Sequence, residues 1–140
     1  MLAKDPNGNM ILDEVQLYHV EGEEQPRLNR IISEQMGIAS TPIYHLNIKV
    51  NEEISAIGIT KDSRSTRYKV KVYFNYTLVE IDTQKTIDSG NIFLYSSYDV
   101  AQSEYANYIA ERYTSDNILK ELCDELKSRL ILVISSRSVN

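Results

Sequence analysis

The chain has no tryptophan, one cysteine, two histidines, three prolines and five glycines among its 140 residues. A lone cysteine, Cys123, excludes an internal disulfide. Two histidines and one cysteine, far apart, are too few for a structural zinc site, which takes about four such ligands. No apolar run approaches the roughly 20 residues of a membrane-spanning helix. Met1 to Gly8 is polar and lacks the apolar core of a signal peptide. The formal net charge of -5 argues against general nucleic-acid binding, which favours strongly basic domains. G-x-S-x-G, P-loop and G-x-G-x-x-G motifs are all absent, so no enzymatic activity is expected.

What is present is strand pattern. From Arg67 to Val79 the residues split by parity. Arg67, Lys69, Lys71, Tyr73, Asn75, Thr77 and Val79 fall on one face, and Tyr68, Val70, Val72, Phe74, Tyr76 and Leu78 on the other. Such alternation predicts a half-buried antiparallel strand with one packed face and one wet face. A first strand is expected over Glu14–Val20, with Val15, Leu17 and His19 on one face. A second begins after Pro42, with Tyr44, Leu46, Ile48 and Val50 inward, and continues towards Ile59 after a bend at Asn51-Glu52-Glu53. The fourth covers about Thr86–Tyr98, reached through a hairpin at Asp82-Thr83-Gln84-Lys85, and sets Ile92 and Leu94 against Phe93 and Tyr95.

Two helices complete the pattern. Pro26 suits a first helical position, Leu28, Ile31, Ile32 and Met36 recur at helical spacing, and Gly37 suits the stop. A long helix is expected over about Gln102–Val133, with Tyr105, Ile109, Tyr113, Leu119, Leu122, Cys123, Leu126, Leu130 and Val133 as its apolar stripe. Thr114-Ser115-Asp116 is a candidate kink. The order β-α-β-β-β-α predicts an α+β two-layer sandwich, a four-stranded, mostly antiparallel sheet packed against two helices. Residues 1–12 are expected to be a flexible N-terminal leader, 13–134 a single domain and 135–140 a flexible C-terminal tail.

Candidate chemistry concentrates in one place. Lys61, Arg64, Arg67, Lys69 and Lys71 lie within one turn and the strand it feeds, with only Asp62 as local counter-charge. Alternate strand residues are roughly 7 Å apart, so the strand cations repel unless something anionic covers them. Phosphates suit Arg as a bidentate fork and Lys as a point charge. Solvation, or cross-strand pairing with nearby acids, is the other reading. Tyr73, Asn75 and Tyr95 share the open face and suit a partner surface, because a Tyr ring packs while its hydroxyl stays wet. His19 and His45 lack a fixed partner, Glu23-Glu24 and Glu52-Glu53 read as solvated loop acids, and Cys123 reads as a buried, inert thiol.

Several segments, in this order, resemble the LptE family. They are Tyr44-His45-Leu46-Asn47-Ile48, Ser65-Thr66-Arg67-Tyr68-Lys69-Val70, Tyr76-Thr77-Leu78-Val79, Asp88-Ser89-Gly90, Ser97-Tyr98-Asp99, Glu104-Tyr105-Ala106 and the helix end through Leu122, Leu126 and Leu130. The resemblance covers about Val15 to Leu132. It implies a Gram-negative lipoprotein at the periplasmic face of the outer membrane, anchored through an N-terminal lipid that these residues do not carry. It implies an LptD-type β-barrel as partner, plugged by this domain, and lipopolysaccharide as ligand, with the lipid A phosphates near Lys61, Arg64 and Arg67. A second basic position of the family, early in the last helix, is Asn107 here. No cofactor is implied. A regulatory or accessory periplasmic lipoprotein, activating a cell-envelope enzyme or transporter, is the alternative reading of the same α+β domain.

Overall fold

The computed structural model describes residues 2–4, 10–22, 26–57, 67–100 and 103–138. Strands β1 (Leu2–Lys4) and β2 (Met10–Leu12), within the expected leader, pair as an antiparallel ribbon. The main sheet has the order β3 (Val15–Gly22), β4 (Tyr44–Ile57), β5 (Arg67–Glu80), β6 (Thr86–Asp99). Helix α1 (Pro26–Met36) connects β3 to β4, and these two strands are parallel. A parallel pair needs such a crossover, whereas β4–β5 and β5–β6 are antiparallel. Helix α2 (Glu104–Ser138) returns from the end of β6 along the inner sheet face and runs past residue 134, the expected domain end. Two helices on one face of a four-stranded sheet give the α+β sandwich that the alternation and helical spacing predict.

Local chemistry sets the helix ends. Pro26 opens α1, where a missing N–H costs nothing. Gly37, at φ 71°, closes it and donates its N–H to the Ser33 carbonyl at 3.1 Å. A Cβ would be strained in that left-handed conformation. Ser103 caps α2, its hydroxyl accepting from the Ala106 N–H at 3.2 Å. Among the described residues no helix is long and apolar enough to cross a membrane.

The core lies between sheet and helices. Leu46, Ile48 and Val50 of β4 join Val70, Val72, Phe74 and Leu78 of β5, beneath Leu28 and Ile32 of α1 and Leu119, Leu122, Leu126 and Leu130 of α2. All are fully buried. Each such side chain contributes about 1.5–3 kcal/mol through removal from water.

Four expectations change. The strand after Pro42 runs unbroken through Asn51-Glu52-Glu53, because β5 pairs with every residue of it from Tyr44 to Ile57. Glu52 and Glu53 are therefore strand residues on opposite faces. The β3–β4 register slips between Leu17 and His19. This bulge turns His19 outward and lets Val20 pack on the core in its place. Tyr105, Ile109 and Tyr113 are exposed, because the buried stripe of α2 runs through Ser115, Ile118, Leu119, Leu122, Leu126 and Leu130 instead. Finally, Thr114-Ser115-Asp116 does not interrupt α2. Thr114 folds its hydroxyl onto the Ala110 carbonyl at 2.7 Å, and Ser115 is fully buried.

Candidate functional site

The register assembles an outer sheet face from three strands. Arg67, Lys69, Lys71, Tyr73 and Asn75 of β5 stand opposite Asp99, Ser97, Tyr95, Phe93 and Asn91 of β6. On the other side they meet Ile57, Ser55, Glu53, Asn51 and Lys49 of β4. Phe93 is 49% and Tyr95 61% exposed. No helix packs on this face among the described residues.

The strand cations have partners within the face. Arg67 Nε donates to Asp99 Oδ1 at 3.0 Å. Lys69 Nζ lies 4.7 Å from the Tyr95 ring centroid. Lys71 Nζ lies 4.3 Å from that of Phe93 and 4.8 Å from that of Tyr73. Tyr73 and Phe93 meet at 6.0 Å with their planes 50° apart, and the Tyr73 hydroxyl donates to Glu53 Oε2 at 3.0 Å. Each exposed cation–π contact contributes about 0.5–1 kcal/mol. The rings thus offset the mutual repulsion of the lysines without any external anion. An ammonium over a ring keeps free donors, so the face can still receive an anionic group.

Lys61 and Arg64 lie outside the described residues, so only Arg67, Lys69 and Lys71 of the expected cation set can be placed. Tyr73, Asn75 and Tyr95 join them on one face. Phe93, Glu53 and Asp99 complete the group. Each stands on the face beside a residue singled out from the pattern: Phe93 and Asp99 share the parity of Tyr95 along β6, and Glu53 stands opposite Lys71 in the β4–β5 register.

Further along the same face, His19, Glu21, Asn47, Lys49, Asn75 and Thr77 line a shallow trough of about 300 Å³. Lys49 and Glu21 approach to 4.0 Å at its rim. His45 stacks on Tyr18, with centroids 4.2 Å apart and planes within 12°. Among the described residues no group of three or more His, Cys, Asp or Glu could hold a metal ion. Cys123 lies in the core, and burial pushes its thiol from an ordinary 9.0 up to about 12. A thiol so rarely ionised near neutrality is a poor nucleophile.

Two polar clusters behind the sheet were not legible from sequence. Arg27 of α1 pairs with Asp116 of α2 and donates to the Ser115 hydroxyl at 3.3 Å. Ser115 in turn donates to Glu52 of β4. Deeper in the strands, the Tyr76 hydroxyl donates to Asp88 at 2.9 Å and accepts from Arg129 at 3.4 Å. Burial, then the Asp88 bond, raises the Tyr76 pKa above its ordinary value, while Arg129 opposes the rise. The Tyr76 ring covers Gly90, its cross-strand partner. A Cβ there would lie 3.0 Å from the Tyr76 hydroxyl oxygen and 3.1–3.2 Å from its ring carbons, tighter than ordinary contact.

The architecture defines a small α+β sandwich with an open cationic–aromatic sheet face, and several solved bacterial lipoproteins share this fold. A lipoprotein from Caulobacter crescentus superposes with a TM-score of 0.65 at 16% identity, over 88% of this chain and 91% of that one. Rare lipoprotein B from Shewanella oneidensis gives 0.59 at 13% identity, over 88% and 98%. A minor lipoprotein from Acinetobacter baumannii gives 0.55 at 11% identity, over 85% and 91%. No protein-family model and no curated protein matches the chain.

Proposed function

We propose that this chain is a non-enzymatic lipoprotein subunit of the lipopolysaccharide-assembly translocon in a Gram-negative outer membrane. In this reading it plugs an LptD-type β-barrel from the periplasmic side and touches lipopolysaccharide on its way to the outer leaflet. The observation that carries the reading is the outer sheet face. Arg67, Lys69 and Lys71 line alternate positions of β5 beside the exposed rings of Phe93 and Tyr95, in a chain of net charge -5. Cations next to apolar rings suit a phosphorylated glycolipid, which offers anionic and apolar groups together. The shared fold with three bacterial lipoproteins supports an envelope location.

The ligand half of the reading is tested with Arg67→Glu/Lys69→Glu/Lys71→Glu, its fold checked by circular dichroism. Its affinity for purified lipopolysaccharide should fall at least about tenfold, or 1.4 kcal/mol. Unchanged binding by a folded variant removes lipopolysaccharide contact at this face.

One observation favours a second reading, a regulatory or accessory envelope lipoprotein. The cations already rest on Asp99, Tyr95, Tyr73 and Phe93, and a Tyr-rich face with few free charges also suits a protein partner.

A further inference from the structure

Helix α1 has 11 residues and α2 has 35. Among the described residues, the inner sheet face therefore has a double helical cover along only part of its length. The Arg27–Asp116 pair, one residue into α1, marks where that double layer ends. Beyond it, inner-face Ile54 of β4 is 40% exposed, although its cross-strand partner Val70 is fully buried. The first three turns of α2 stand at this end of the molecule with large side chains in solvent. Tyr105 is 74% and Tyr113 69% exposed, and Tyr108 and Ile109 are about half exposed. Clustered exposure of this kind marks an interaction surface.

These turns are self-complementary. Glu104, Tyr108 and Arg112 form one row at four-residue spacing, and Tyr105, Ile109 and Tyr113 form the next. The Arg112 guanidinium lies 5.4 Å from the Tyr108 ring centroid, within this surface. A two-fold axis crossing α2 near Tyr108 and Ile109 sets two copies antiparallel. Glu104 of each then lies beside Arg112 of the other, and Tyr105 beside Tyr113. A parallel pairing would instead set Glu104 on Glu104 and Arg112 on Arg112.

We propose that the first three turns of α2 form an isologous interface between two copies of this chain. The proposal is independent of the translocon reading.

Sedimentation velocity of the whole chain, from about 1 μM to about 1 mM, tests it. The weight-average mass should rise from 16.1 kDa towards twice that value. Glu104→Arg and Arg112→Glu should each weaken association about tenfold by setting like charges together, and the double exchange should restore it. Ile109→Glu, at an exposed position, should abolish association while leaving circular dichroism unchanged. A monomer at every concentration overturns the proposal. So does a dimer indifferent to Ile109→Glu, or one that the double exchange fails to rescue.

Discussion

Replacing Arg27 with Met removes the guanidinium that ties α1 to α2 and keeps most of the apolar stem. Arg27 is 17% exposed in its side chain and Asp116 37%, so the pair is half-buried. Removing one partner of a fully buried pair costs about 3–5 kcal/mol, but water can reach Asp116 here. Discounting for that access leaves about 1–2 kcal/mol, of which the lost bond to Ser115 is a part. Met preserves the packing of the stem, so cavity terms stay small. Urea titration reads the change as a shift in midpoint at constant slope. In a chain of this length about 1 kcal/mol corresponds to a melting shift of roughly 3–4 °C. A double-mutant cycle with Asp116→Asn isolates the pair, and a coupling of about 1 kcal/mol is expected. Strictly additive single changes, or a total loss below about 0.3 kcal/mol, would refute the argument that this pair fastens the helical layer.

Other perturbations follow from the same contacts. Leu126→Ala, at a fully buried site, should cost about 2–5 kcal/mol in a denaturant titration, and a loss near zero would mean that α2 is not docked on the sheet. Gly90→Ala should destabilise by about 1–3 kcal/mol, since the added Cβ presses on the Tyr76 ring, and Tyr76→Leu should relieve most of that penalty. Cys123 should resist thiol reagents in the native protein and react only on unfolding. Its folded pKa is raised, so the unfolded thiol ionises first as pH rises. The stability it contributes is therefore complete below about pH 9 and lost as pH climbs to about 12, and Cys123→Ala should remove that part of the slope in pH-dependent unfolding.

Local signals carried much of this architecture. Pro26 and Gly37 bracket α1 because each acts through its own backbone, and the parity of Arg67–Val79 names both faces of β5 without knowledge of its neighbours. What depends on neighbours was not legible. Parity cannot announce the bulge at Tyr18, which moves His19 outward. Nor does helical spacing say where a helix outruns its partner. Tyr105, Ile109 and Tyr113 recur every four residues like a core stripe, yet they lie beyond and to one side of the surface that α2 packs on. Arg27 and Asp116 are 89 residues apart, and only the fold brings them together. The cations were legible as a stripe. Tyr73 and Tyr95 were legible on the same face, but which ring each lysine meets was not, because that depends on a β5–β6 register which a bulge between Leu78 and Val79 shifts.

The most direct test of the proposed role is co-purification of the chain with the LptD-type barrel of the same organism. A stable, stoichiometric complex that survives size-exclusion chromatography is the result the account predicts. A properly folded chain that elutes apart from the barrel would contradict it.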